Sequence, residues 1–295
     1  MTATVARADL AIAEAVVGPP LRLQLALRSR LAGYLADSQG PRLCMVGGAG
    51  VVMPESVVLP PGISWEWLLR DQLDHGTPVV LGNGTIACGA RRLAVRADLD
   101  LRVPAGSWPP DAVRRAIGHL DRALTASHPV ELPWLSSQDL TEHLGDAGPD
   151  ALLVAADGLI GAGPGLTPSG DDLLAAALLV HVVAGSRGAE EVGAAILDRA
   201  RTRTTAAAVL QYRGAARGCA SPPVGAALTA LLGQADPSRA LAGLLALGHS
   251  SGHDLARGLR AGLAAVHSSP LTGSPTGASA GRAPAHLRPA ERNPA

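Results

Sequence analysis

The hydrophobic period of this chain changes once, at about Pro104, and that change limits it to two unlike parts. Residues 1 to about 40 mix helical and strand patterns, and from 41 to about 104 the signals are those of strands. "LRLQLALRSRLAGYL" is compatible with helix or strand, and the alternation of Leu21, Leu23, Leu25 and Leu27 favours a strand. "RLCMVGGAGVVMPESVVLPPG" holds two short apolar runs split by glycines. "TPVVLGNGTIACGARRLAVRADLDLRV" holds two or three more, with a hairpin turn at Asn83-Gly84. Between them "SWEWLLRDQLDHG" reads as a short helix: Ser64 caps it, Trp67, Leu68 and Leu73 share a face, and Gly76 ends it.

After Pro104 nearly every segment has helical spacing. "PPDAVRRAIGHLDRALTAS" is amphipathic with Pro and Asp at its start. Further helices are expected over 151–160, 171–184, 189–201, 203–217, 222–234, 237–247 and 252–266. The expected fold class is α+β, a β-rich N-terminal domain over 1–104 followed by an all-helical domain over 105–267. The tail 268–295 is Pro, Gly, Ser and Ala with few large apolar residues. It cannot offset its ordering entropy and is expected to be disordered.

Composition narrows the chemistry. The 295 residues are 47% hydrophobic but only 2% aromatic, with no Phe, so the cores must be aliphatic. The formal net charge is zero, which gives no reason to expect nucleic acid or an anionic membrane as partner. The basic residues are all Arg, so Schiff-base and P-loop lysine chemistry are excluded, and any anion must be held by Arg, His or backbone N–H. Cys44, Cys88 and Cys219 are widely spaced with no CxxC, and read as buried small hydrophobes. The N-terminus is a poor signal peptide, and the run "LLAAALLVHVVAG" is too short to span a bilayer, so a cytoplasmic location is expected.

One stretch asks for more than a fold. "GLIGAGPGLTPSGDDLLAAALLV" alternates Gly161, Gly163 and Gly165, then reaches Leu166, Thr167, Pro168, Ser169 and Gly170 before two adjacent acids and an apolar helix. Thr167 caps that helix with Pro168 at its first position, or Ser169 caps it one turn later. Either way a glycine loop delivers backbone N–H groups to a helix start, a ready anion site. The pattern is neither GxGxxG nor a P-loop. Asp171 and Asp172 satisfy the helix dipole but repel a phosphate, so a phosphate there requires Mg²⁺ or an arginine from elsewhere.

A second stretch repeats the first. "LALGHSSGHDLARGL" contains Ser251-Gly252-His253-Asp254-Leu255, against Ser169-Gly170-Asp171-Asp172-Leu173. These are diverged halves of a repeat, two helix starts facing one cavity, or a chance match in an Ala-, Leu- and Gly-rich chain. His249 and His253 have i, i+4 spacing, but Ser250 and Ser251 look like caps, which puts His249 outside the helix and argues against zinc. Between the stretches lies "RARTRTTAAAVLQYRGAARG". Its Arg199, Arg201, Arg203, Arg213 and Arg217 form either a solvated face or, through Arg203 with Thr204 and Thr205, the charge that holds an anion. Tyr212 is a pocket wall or core. Glu55, behind a glycine run, sits in a turn or near the site.

"GAGPGLTPSGDDLL" and "LGHSSGHDLARGL" closely resemble the two signature segments of a bacterial family formerly labelled a domain of unknown function. These are the AllH-like subunits of the oxamate carbamoyltransferase of anaerobic allantoin breakdown. The resemblance covers roughly 150–266, is weaker over 41–104, and is absent from the tail. It implies a part in moving a carbamoyl group between carbamoyl phosphate and oxamate, together with partner subunits. The matching positions are Gly163, Gly165, Thr167, Ser169, Gly170, Asp171 and Asp172, then His249, Ser250, Ser251, Gly252 and Asp254. The family's Thr-Thr with a Ser three positions on survives as Thr204 and Thr205, but Ala208 stands in the serine's place.

On this reading backbone groups of 163–170 take the phosphate and Arg203 assists. Asp172 and Asp254 orient an amide N–H or a metal, His249 or His253 moves a proton, and Asp171 is counted with the catalytic group beside them. The motifs specify no particular cofactor, and Mg²⁺ is compatible with the acids. Two other classes stay open: a non-catalytic assembly subunit, and a Mg²⁺-dependent hydrolase or phosphotransferase.

Overall fold

A computed structural model of the protein describes residues 5–47, 50–127, 149–233 and 236–268. The tail expected to be disordered lies, from residue 269, outside the described residues.

The N-terminal part has eight strands: β1 (Val5–Asp9), β2 (Leu21–Arg28), β3 (Ala32–Asp37), β4 (Gly40–Val46), β5 (Ser56–Val58), β6 (Val79–Gly82), β7 (Thr85–Cys88) and β8 (Arg91–Leu99). A helix, α1 (Ala13–Val17), follows β1. The expectation of a merely β-rich region is corrected here: the strands close into a barrel, in the order β1-β5-β4-β3-β2-β6-β7-β8. Closure depends on β1, which runs parallel to β8 and antiparallel to β5, while β5 runs parallel to β4. Alternation along a strand shows which face is apolar but not which distant strand it meets, so closure leaves no local mark.

Period-two burial fills the barrel. Ala6 and Ala8, Leu43 and Met45, Val79 and Leu81, and Leu93 and Val95 all point inward. The interior is therefore packed aliphatic core, not a pore. Asn83 and Gly84 make the expected hairpin turn, both at positive φ. Ser64 accepts from the Trp67 N–H, and Gly76 ends the segment in a left-handed conformation. The helix breaks at Leu69 into α2 (Trp65–Leu68) and α3 (Arg70–His75). Trp65, Leu68 and Leu69 are buried, while Trp67 turns outward beneath the Arg91 guanidinium, 5.8 Å from its ring centre.

The C-terminal part is a helical bundle: α4 (Pro110–Ala126), α5 (Pro149–Leu159), α6 (Ser169–Val183), α7 (Ala189–Arg203), α8 (Ala206–Ala216), α9 (Pro222–Leu232), α10 (Ser238–Leu245) and α11 (Ser251–Ser268). Every residue of α6 except Val182 is buried. A helix apolar on all sides belongs at the centre of a bundle, and α11, α8 and α5 pack around it. No described helix is long and apolar enough to cross a membrane.

The barrel and bundle meet along α8. Ala32, Tyr34, Cys44 and Val46, on the outer wall of β3 and β4, pack on Ala207 and Leu210. Beside this contact Glu55 is 2% exposed and holds a left-handed backbone, φ 61. Its carboxylate accepts from Arg213 at 2.7 Å and Arg217 at 2.6 Å, and its N–H donates to Asp9 Oδ2 at 2.8 Å. Burial pushes the Glu55 carboxyl up, against the pull of the two arginines. Glu55 is thus a turn residue that ties the two parts together; its partners are Arg213, mostly buried, and Arg217, half exposed to water.

Candidate functional site

The two Ser-Gly-x-Asp-Leu pentads open α6 and α11, and each glycine does the same local work. A Cβ on Gly170 would stand 2.2 Å from the Leu159 carbonyl, and one on Gly252 would stand 2.3 Å from that of Leu244. Only glycine lets each new helix start so close to the end of the preceding one. The Gly170 N–H donates to Ala162 O, and the Gly252 N–H to Leu247 O. The two helix starts lie side by side, with Thr167 Oγ1 3.2 Å from Ser251 Oγ. Thr167 therefore reaches the other pentad instead of capping its own helix, which has no side-chain cap.

Beyond the two glycines, the N–H groups of the residues that follow them are also engaged. Those of Asp171 and Asp172 donate to Pro168 O, and those of His253 and Asp254 to Ser250 O. Gly163 and Gly165 hold φ values of 109 and 105 in the loop that carries Leu166 outward.

The adjacent acids have different surroundings. Asp171 accepts from Gly161 N–H at 3.1 Å, Tyr212 Oη at 2.8 Å and Thr204 Oγ1 at 2.5 Å. Burial raises its pKa, and these donors oppose that rise. It is the fixed point of the glycine loop. Asp172, 1% exposed, has a single hydrogen bond, from Gln211 Nε2 to Oδ1 at 3.0 Å. Its pKa is pushed up to about 7, chiefly by burial and also by the charge of Asp254. The Ser251 and Thr167 hydroxyls stand close enough to ease that charge, but neither makes a well-formed hydrogen bond with Oδ2, which has no partner.

Asp254 is fully buried and accepts from Arg257 at 2.9 Å, with its Oδ2 also unpartnered. The ring nitrogens of His253 are buried without partners, and burial holds its pKa down. His249 lies exposed in the turn before α11, as its spacing to Ser250 and Ser251 suggested. Among the described residues no group of three His, Cys, Asp or Glu side chains is placed to hold a metal.

A cavity of about 250 Å³ opens where α6, α8 and α11 face the barrel. Thr167, Asp172, Gln211 and Ser251 form its polar end, and Ala175, Ala176, Leu179, Val224 and Leu255 its apolar floor. The barrel supplies Tyr34, Met53 and Leu31. Leu31, Val51 and Leu166 are all large exposed hydrophobics and all line this cavity. No described lining residue is Arg, Lys or His.

Several of the residues singled out from sequence lie elsewhere. Arg203 donates to the side chain and carbonyl of Asp157 at the surface. Thr204 serves Asp171, and Thr205 caps α8 and donates to Leu166 O at 2.5 Å. Ser169, Gly170 and Gly252 are buried in the packing of the helix starts, and Ser250 gives its carbonyl to α11. Sequence reasoning missed Gln211 and the whole barrel wall. Gln211 had one signal, a lone amide inside the apolar run "AAAVLQY".

Residues 159–263 match the family model for oxamate carbamoyltransferase subunit AllH. This segment, which carries both pentads, is therefore AllH-like, as its motifs suggested. No curated protein and no solved structure matches the chain.

Proposed function

We propose, from the AllH-like character of residues 159–263, that the chain is a carbamoyltransferase subunit and that its cleft holds the amide that accepts the carbamoyl group. The observation that carries this reading is Asp172, buried in the cavity wall with one carboxylate oxygen unpartnered. A buried unpaired acceptor costs roughly 1–3 kcal/mol, and a ligand N–H would offset that cost.

Gln211 spends one Nε2 hydrogen on Asp172, which leaves its other N–H and its carbonyl for the ligand. A primary amide complements the pair: its N–H donates to Asp172 and its carbonyl accepts from Gln211. In the transfer the amide nitrogen bonds to the carbamoyl carbon, the carbon–oxygen bond to phosphate breaks, and phosphate leaves with the electron pair. The surplus N–H proton passes to Asp172, whose pKa of about 7 suits a base at neutral pH. With no cationic side chain among the described lining residues, the phosphate end of the donor is bound outside this cavity. Partner subunits are the natural source of that binding.

The test is carbamoyl transfer by the complex reconstituted with its partner subunits. Asp172→Asn should lower kcat by about 10²-fold or more, and Gln211→Leu should raise KM for the acceptor. The exposed Asp111→Asn serves as control. Wild-type turnover in Asp172→Asn would remove the assignment.

A further inference from the structure

The cavity is much larger than a two-carbon acceptor needs, and its walls have the wrong chemistry for an anion. Its volume is about 250 Å³, against the roughly 10–15 Å³ that a single water requires. Beyond the polar end, the floor is aliphatic and the rim is Leu31, Val51 and Leu166. A small polar ligand at Asp172 would leave that apolar surface without contacts. A carboxylate or phosphate would shed its water with no described lining cation to replace it, beside the buried carboxyls of Asp172 and Asp254.

We infer that the ligand of this cavity is an uncharged primary amide bearing a branched apolar body of several carbons, with its amide at Asp172 and Gln211 and its body directed toward Leu31, Val51 and Leu166. The inference rests on the cleft being the functional site. An ammonium head would also be drawn to Asp172, but it offers no acceptor to the free N–H of Gln211. The amide offers both a donor and an acceptor. The apolar body then accounts for the three exposed hydrophobics, since an apolar rim around a concave site is a binding feature.

The experiment is calorimetry on the purified full chain with isovaleramide, isovalerate, isoamylamine, oxamate and inorganic phosphate at pH 8. It is run on the wild type, Asp172→Asn and Val51→Trp, with near-ultraviolet circular dichroism to confirm that each variant is folded. Isovaleramide should bind about tenfold or more tightly than any other probe. Asp172→Asn should weaken it by a similar factor, and Val51→Trp, at the exposed mouth, should weaken it by blocking entry. Tighter binding of oxamate, phosphate or the amine that is still lost in Asp172→Asn would overturn the ligand class and leave the cleft as the site. Absence of any binding sensitive to Asp172→Asn and Val51→Trp would overturn both.

Discussion

Thr167 Oγ1 lies 3.2 Å from Ser251 Oγ, so residues 84 apart in sequence join the starts of two helices at the edge of one cavity. The hydroxyl pair joins the loop just before the first pentad to the first residue of the second. Thr167→Val and Ser251→Ala should each destabilise the fold, and the double variant should lose less than their sum. A coupling of about 1 kcal/mol is expected from urea unfolding of the four-protein cycle.

Asp171 and Asp172 should behave oppositely. Asp171→Asn disturbs an acceptor used by Gly161, Tyr212 and Thr204, at a cost of about 1–3 kcal/mol for each donor left unpaired. Asp172→Asn removes a buried group that the fold prefers protonated. Its pKa rises from 3.8 to about 7 on folding, so the native state binds the extra proton. The stability linked to that proton is fully present below pH 4 and is lost as pH rises to 7. The Tm of the wild type should therefore fall relative to Asp172→Asn between pH 4 and 7, by an amount equivalent to a few kcal/mol at most, at roughly 1.4 kcal/mol per pKa unit. Parallel Tm profiles would exclude a carboxyl of this kind.

His181 has the reverse sign. It is 1% exposed, Nδ1 lies 3.1 Å from Ser186 Oγ, Nε2 has no partner, and burial lowers its pKa to about 4. Below pH 6.5 the unfolded chain binds a proton that the folded one refuses, so stability is lost as pH falls from 6.5 toward 4. His181→Leu should lose less Tm than the wild type between pH 7 and pH 5.

Glu55 should govern the docking of the barrel on the bundle. Arg213 is 16% exposed at its side chain and Arg217 is 51% exposed. Glu55→Gln leaves the Arg213 charge uncompensated, a loss of about 3–5 kcal/mol for a buried pair, while Arg217 contributes little because water screens it. Urea unfolding should shift to lower midpoint, and the transitions of barrel and bundle should begin to separate.

Legibility in the sequence followed the range of each interaction. The helical segments after Pro104, the Asn83-Gly84 turn and the two pentads depend on neighbours within a few residues, and their patterns could be read directly. Barrel closure could not, because β1 finds β8 about ninety residues away. The acids show the same limit. Asp171 and Asp172 are adjacent and chemically identical, yet Tyr212 and Thr204 satisfy one while Gln211 half-satisfies the other. Only tertiary packing separates their roles, and it also brings Tyr34 and Met53 to the opposite wall.

The most direct test of the account is the titration of the Asp172 carboxyl by carbon NMR on aspartate-labelled protein, alone and with saturating isovaleramide or oxamate. One aspartate signal should titrate near pH 7, vanish in Asp172→Asn, and shift its midpoint when an amide is bound. A midpoint that no amide moves would contradict the placement of the acceptor at Asp172.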